Sequence, residues 1–219
     1  MSQTEALKRQ ATKIQSYREA TQPITKQISG LEINALPTVF PGGSDTQLLC
    51  DSIQIVPGQH VLDVCTGAGA VALKAAQISN TSVYGTDINP AAVASAQANA
   101  RRLGLTNATF ETSDLWPSQS RQFDTITANP PYTDAAAPDL TARCFWDEGN
   151  QVVKRLFAEL PQYLRLDGQL FMSWASFADQ TLLSELAARY SYNLQQVNTS
   201  SSPNSGFGYQ VYRITLRRS

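Results

Sequence analysis

The sequence predicts an α/β fold built on a largely parallel sheet with a mixed edge. Three observations predict it. From Val61 onward, short apolar strands alternate with Ala-rich or amphipathic helical stretches. The first of these strands, Val61–Cys65, ends in a glycine turn, Thr66-Gly-Ala-Gly69, that opens directly into the helical stretch Ala70–Gln77. The next two strands, Ser82–Ile88 and Ala108–Asp114, each finish at or beside an acid, Asp87 and Asp114.

A length of 219 residues suits one domain with a small appendage. We expect residues 1–45 to form an N-terminal helix and β-hairpin extension, and residues 46–219 the main domain. Apolar content of 42% and charged content of 16% support a substantial core, and a net charge of −1 exerts no overall pull toward nucleic acid or membrane. The basic residues of segment 1–30 read as a solvated helix face, and Arg213–Arg218 as a solvated tail. Cys50, Cys65 and Cys144 are widely spaced and His60 is the only histidine, so the expected metal content is none. His60 precedes a strand, which speaks against a Ser-His-Asp triad, and the wide cysteine spacing speaks against a disulfide framework. The polar beginning of the chain and the absence of any run of about 18 apolar residues predict a cytoplasmic protein.

In chain order, residues 4–20 form an amphipathic helix with Leu7, Ala11, Ile14 and Tyr17 on one face. Residues 24–40 alternate around Ser29-Gly30 as a hairpin. The loop Phe40-Pro-Gly-Gly-Ser-Asp-Thr-Gln47 leads into a helix that Ser44 or Asp45 can cap. Gly67 and Gly69 let backbone pass close to a ligand, and Asp87, twenty residues after Gly67, stands where a carboxylate accepts ribose hydroxyls. Asn89, Pro90 and Gly104 are the N-cap, first residue and stop of an Ala-rich helix. Asp114 with Leu115 can hold an adenine. No third glycine follows Gly69 at the fingerprint spacing, which disfavours a dinucleotide. Further on, a helix buries Val152, Val153, Leu156, Phe157 and Leu160. Gly168 turns into strand Gln169–Ala175, Ala178–Tyr190 is helical, and Leu194–Thr199 and Tyr209–Leu216 flank a Ser/Asn/Gly loop as an antiparallel edge hairpin.

The chemistry concentrates at Asn129-Pro-Pro-Tyr132. Strand Phe123–Ala128 must stop there, because Pro130 and Pro131 donate no ladder hydrogen bonds. Asn129 therefore sits at a strand's carboxyl end, where ligands bind in open α/β sheets. An amide, prolyl carbonyls and the Tyr132 face make a socket for a planar NH2 group, with Phe40 as a second wall.

Together these motifs resemble the class I S-adenosylmethionine-dependent methyltransferases. Asp63-Val-Cys-Thr-Gly-Ala-Gly69 looks like the family's first motif, Asp87 its ribose-binding acid, Asp114-Leu115 its adenine-side pair, and Asn129-Pro-Pro-Tyr132 its amino-methylating signature. The resemblance implies a Rossmann-like seven-stranded mixed sheet of order 3-2-1-4-5-7-6 with helices on both faces. It also implies S-adenosyl-L-methionine as cofactor and S-adenosyl-L-homocysteine as product. Cofactor contacts are then expected from Asp63, Thr66, Gly67, Gly69, Asp87, Ile88, Asp114, Leu115 and Asn129. Catalysis falls to Asn129, Pro130 and Tyr132, and the acceptor to Phe40, Asn129, Pro130, Pro131 and Tyr132. The hairpin, the Phe40–Gln47 segment, the Asp-x-Cys-Thr-Gly form and Trp146-Asp-Glu-Gly149 are most similar to the HemK-type glutamine N5-methyltransferases of translation release factors, in their short single-domain branch. Gly42 and Gln47 depart from that family's Pro-Arg-x-x-Thr-Glu segment.

The implied reaction is N-methylation of a planar amide or amine, with a protein glutamine, as in a release factor, the expected acceptor. The exocyclic amine of an adenine or guanine in rRNA, tRNA or DNA stays open, although near-neutral charge disfavours it. A small-molecule amine, a catalytically silent binding subunit and an NAD-dependent oxidoreductase are the other readings. No residue pattern assigns an oligomeric state.

Overall fold

The computed structural model describes residues 3–201 and 208–217. The expected Ser/Asn/Gly loop falls mostly outside them, as does Arg218. In chain order the helices are α1 (Gln3–Glu19), α2 (Ser44–Ser52), α3 (Ala70–Ala76), α4 (Pro90–Arg102), α5 (Gln151–Tyr163) and α6 (Leu182–Arg189). The strands are β1 (Ile24–Ile28), β2 (Leu31–Ala35), β3 (His60–Val64), β4 (Ser82–Asp87), β5 (Ala108–Thr112), β6 (Phe123–Ala128), β7 (Leu164–Ala175), β8 (Tyr192–Ser201) and β9 (Gly208–Leu216).

Strands β3 to β9 form one seven-stranded sheet in the order β5-β4-β3-β6-β7-β9-β8. Neighbours from β5 across to β7 are parallel, and β9 joins β7 and β8 antiparallel. Counted from β3, this is the order 3-2-1-4-5-7-6. β3 and β6 are buried along nearly their whole length because both sheet faces are covered, and their buried polar side chains Asp63 and Thr127 bond to each other. Val61, Leu73, Ala96 and Leu49 pack on one face with α2, α3 and α4. Leu62, Ile126, Phe157 and Leu183 pack on the other with α5 and α6. The β1–β2 hairpin contributes Ile28, Leu31, Ile33 and Ala35 to the first cluster, so the extension shares the sheet's core.

Local signals account for much of this. The Asn89 side chain accepts from the Ala91 N–H at 3.0 Å, Pro90 opens α4, and Gly104 beyond its end has φ +68°.

Four expectations need correction. α1 buries Ala6, Gln10, Ile14 and Tyr17, whereas Ala11 is exposed; a polar residue holds the middle of the stripe because Gln10 is hydrogen-bonded there. The N-cap of α2 is Gly43, leaving Ser44 and Asp45 in the first turn. Gly168 lies within β7 rather than in a turn before it; the sheet absorbs it through a register shift between Phe123 and Thr125. α6 begins at Leu182, because Asp179 terminates the preceding turn by accepting from the Thr181 and Leu182 N–H groups.

Candidate active site

The carboxyl ends of β3, β4 and β6 open into a cavity of about 330 Å³. A smaller recess of about 30 Å³ adjoins it, and Phe40, Cys65, Gly67 and Asn129 border both. This is the crevice where an open α/β sheet binds ligands.

The floor is the turn after β3. Cys65, Gly67 and Gly69 all have positive φ, of 56°, 54° and 90°. Gly69 must lack a side chain, since a Cβ there would stand 2.9 Å from the Ala96 Cβ on α4. It lets α3 and α4 pack closely and does not itself border the cavity. Beneath the turn, Asp63 is fully buried. Its Oδ2 accepts from the Thr66 hydroxyl at 2.6 Å and the Ala72 N–H at 3.2 Å, and its Oδ1 accepts from the Thr127 hydroxyl at 2.7 Å. Burial pushes its pKa up to about 6, against the pull of those donors. Asp63 and the buried Thr66 thus brace the turn from behind.

Asp87 lines the cavity directly. Its Oδ2 accepts from the Gly67 N–H at 2.8 Å and its Oδ1 from the Asn89 N–H at 2.9 Å, while burial raises its pKa. Ile88 and Leu115 form apolar walls. Leu115 is held at φ +74°, with its carbonyl accepting from the Thr86 hydroxyl at 2.6 Å. Asp114 stands at the rim, more than half exposed, and Arg155 on α5 donates to its Oδ2 at 2.8 Å.

Asn129 occupies the end of β6 with its carboxamide fixed on both sides. Nδ2 donates to Asp45 Oδ2 at 3.2 Å and Thr46 Oγ1 at 3.1 Å, and Oδ1 accepts from the Ser173 hydroxyl at 2.5 Å. A carboxylate only accepts, so Asp45 dictates which end of the amide faces it. Asp45 is buried at 4% exposure and also accepts from the Tyr132 hydroxyl at 2.9 Å and the Thr46 N–H at 2.8 Å. No salt bridge to it occurs among the described residues.

Tyr132 is buried behind this wall. Its ring meets Trp174 and Phe177 edge-on at 5.9 and 5.7 Å, and burial beside Asp45 holds its pKa well above the ordinary phenol value. Pro131 borders the cavity and Pro130 is buried. Phe40 faces Asn129 across the recess, its ring edge-on to Phe145 at 5.2 Å. The sequence-predicted residues therefore divide. Gly67, Asp87, Ile88, Asp114, Leu115, Asn129, Pro131 and Phe40 border the large cavity, and Asp63 and Thr66 reach only the recess. Gly69, Pro130 and Tyr132 border neither space.

Asp45 and Ser173 were not legible as site residues. Asp45 reads as a cap because it follows two glycines and opens a helix. Ser173 does have a signal: it is the one hydroxyl in the apolar run Leu170-Phe-Met-Ser-Trp-Ala175. Cys65 and Cys144 border the cavity, but burial raises both thiols, so neither is a thiolate nucleophile. No group of three or more metal-ligating side chains occurs among the described residues. No helix among them is long and apolar enough to cross a membrane.

Comparison with known proteins gives the same picture from outside. A putative protein N5-glutamine methyltransferase of Methanocaldococcus jannaschii is 31% identical over 148 residues, 65% of this chain and 75% of that protein. The release factor glutamine methyltransferase of Moorella thermoacetica is 36% identical over 125 residues, 53% of this chain and 44% of that protein. The chain thus spans under half the length of that bacterial relative. Among solved structures, a T. thermophilus 16S rRNA N2 methyltransferase, in complex with AdoMet and guanosine, superposes with a TM-score of 0.68 at 24% identity, covering 90% of this chain and 50% of that one. The family model for the methyltransferase small domain matches residues 30–200. That span takes in every residue bordering the cavity, from Thr38 to Arg155; the chain belongs to the methyltransferase small-domain family, as an S-adenosylmethionine-dependent methyltransferase.

Proposed function

We propose that the protein transfers a methyl group to the side-chain nitrogen of a protein glutamine, with Asn129 as the residue that holds the acceptor. The observation that carries this reading is the locked Asn129 carboxamide.

The residues fit the cofactor. Asp87 suits the ribose hydroxyls, Ile88 and Leu115 the faces of a flat base, Asp114 an exocyclic amine, and the recess at Thr66 and Gly67 the amino-acid tail. S-adenosylmethionine supplies an electrophilic methyl group on a sulfonium sulfur.

An amide nitrogen is a poor nucleophile because its lone pair is delocalised. Asn129 Oδ1 keeps a second lone pair beyond the one taken by Ser173, and it accepts one acceptor N–H. Pro130, which borders neither the cavity nor the recess, leaves Asn129 as the acceptor's contact. That bond strengthens as the nitrogen becomes cationic, which is where preorganised dipoles lower a barrier. The new N–C bond forms as the C–S bond breaks, and the nitrogen then releases a proton to solvent. The buried Asp45 carboxylate favours positive charge nearby and keeps the Asn129 amide from flipping. Tyr132, tied to Asp45, acts through that carboxylate.

Charge at the cavity mouth supports a protein acceptor over a phosphate-bearing one. Asp114, Asp147 and Glu148 outnumber Arg143 and Arg155, and Arg155 is already paired with Asp114. The relatives named for glutamine methylation point the same way. A release-factor loop is the acceptor we favour.

The test is incubation of cell extract with methyl-labelled cofactor, followed by separate protease and nuclease digestion. Label released by protease is the expected result, and label released by nuclease overturns the protein acceptor. Calorimetry with S-adenosylhomocysteine, if it gave no heat, would favour a silent binding subunit.

A further inference from the structure

Helix α1 lies across the roof of the cavity, and its buried amide side chain, Gln10, is tied to that roof. The roof is the loop 133–147, which contributes Ala137, Leu140, Arg143 and Cys144 to the lining. The loop is closed at its base, where Thr133 bridges Trp146 and the Asp147 N–H donates to the Thr133 carbonyl at 2.9 Å. Gln10, 6% exposed, bonds to both sides of that closure. Its Nε2 donates to Thr133 Oγ1 at 2.9 Å and its Oε1 accepts from the Trp146 indole N–H at 3.0 Å. One turn on, Ile14 and Tyr17 pack with Ala142 and Phe145 of the loop. Arg18 forks onto Asp139 at 3.0 and 2.7 Å. The opposite wall is held as well, since the Thr38 N–H donates to the Tyr17 carbonyl at 2.9 Å.

We infer that α1 is a clasp on the ligand cavity and that Gln10 is a positioning residue, setting the roof against the floor through the Thr133–Trp146 closure. An amphipathic helix that only covered core would gain by an apolar residue at position 10, because burying an amide is costly unless both its ends are bonded. Here both ends are bonded, and to the two strands of one loop base. Trp146 and Asp147 border the cavity while Gln10 does not, so the side chain acts on the ligand through the loop. The inference rests on the reading that the cofactor occupies this cavity.

The test compares the full-length wild type with Gln10→Met, which keeps the volume and loses both bonds, and with Gln10→Glu. The glutamate can accept from both the Trp146 N–H and the Thr133 hydroxyl. Calorimetry with S-adenosylhomocysteine should show about a tenfold weaker Kd for Gln10→Met. Most of the affinity should return in Gln10→Glu, with similar thermal midpoints for the two variants. Thr133→Val, nearly isosteric, covers the case in which Gln10→Met does not fold, and should weaken binding severalfold. Wild-type affinity in whichever of Gln10→Met and Thr133→Val folds overturns the clasp. Absence of binding by the wild type itself overturns the cofactor reading and the clasp with it, which distinguishes the two failures.

Discussion

Asp45 Oδ2 and Asn129 Nδ2 meet at 3.2 Å across the gap between the start of α2 and the end of β6, with Asp45 almost wholly buried. The contact joins residues 84 positions apart and makes the carboxamide one-sided. Asp45→Asn replaces an obligate acceptor with a group that tolerates either amide orientation. We expect kcat to fall about tenfold to a hundredfold, with the far-UV circular dichroism of the wild type. Steady-state kinetics on the purified variant checks it, and unchanged kcat would remove Asp45 from the site's machinery.

Asp87 should govern cofactor affinity. Its two oxygens hold the Gly67 and Asn89 N–H groups, and it is the part-buried acid of the large cavity's floor. Asp87→Ala loses charge-assisted contacts to the ligand and loosens the glycine turn. About a hundredfold weaker binding of S-adenosylhomocysteine is expected by calorimetry.

Asp63 predicts a pH signature of stability. Its folded pKa, about 6, lies above the ordinary carboxylate value of 3.8, so between those values the folded state holds a proton that the unfolded state has released. Stability from this group is therefore full below the lower value and is lost as pH rises toward the upper one, on the order of 3 kcal/mol in all. Asp63→Asn stays neutral. Its carbonyl can accept from Thr66 and Ala72, and its amide can donate to Thr127, whose hydroxyl proton turns to the Leu62 carbonyl at 3.5 Å. Thermal unfolding across pH 4 to 7 should show the variant gaining on the wild type as pH rises; a constant difference would refute the assignment.

Gly69→Ala should destabilise the protein by about 1–3 kcal/mol. The position combines φ 90° with a Cβ site 2.9 Å from Ala96. Urea unfolding measures the loss, and a neutral result would mean that α4 can shift away.

What was legible in the sequence follows from how local each cause is. Asn89, Pro90 and Gly104 announce α4 because caps and stops act within one turn. The strand ends at Asp87 and Asn129 are marked by neighbours in sequence, so their place at the cavity is readable as well. Asp45 was not, because its partners come from β6 and the loop after it, and a helix-opening acid is more simply read as a cap. Gln10 was hidden for a related reason: periodicity counts apolar residues, and its burial depends on Thr133 and Trp146, more than a hundred positions away. The position of Tyr132 after two prolines points it at the acceptor, yet its ring direction is set by Trp174 and Phe177, and it borders neither the cavity nor the recess.

The central claim is that the fixed Asn129 carboxamide presents a glutamine amide for methylation. The most direct measurement is tandem mass spectrometry of a release-factor acceptor after incubation with S-adenosylmethionine and either the wild type or Asn129→Ala. The account predicts one added methyl group on a glutamine side-chain nitrogen with the wild type. It predicts a rate about 10²–10³ lower with Asn129→Ala while S-adenosylhomocysteine still binds. Methylation at equal rates by the two proteins, or no glutamine modified by the wild type, would contradict it.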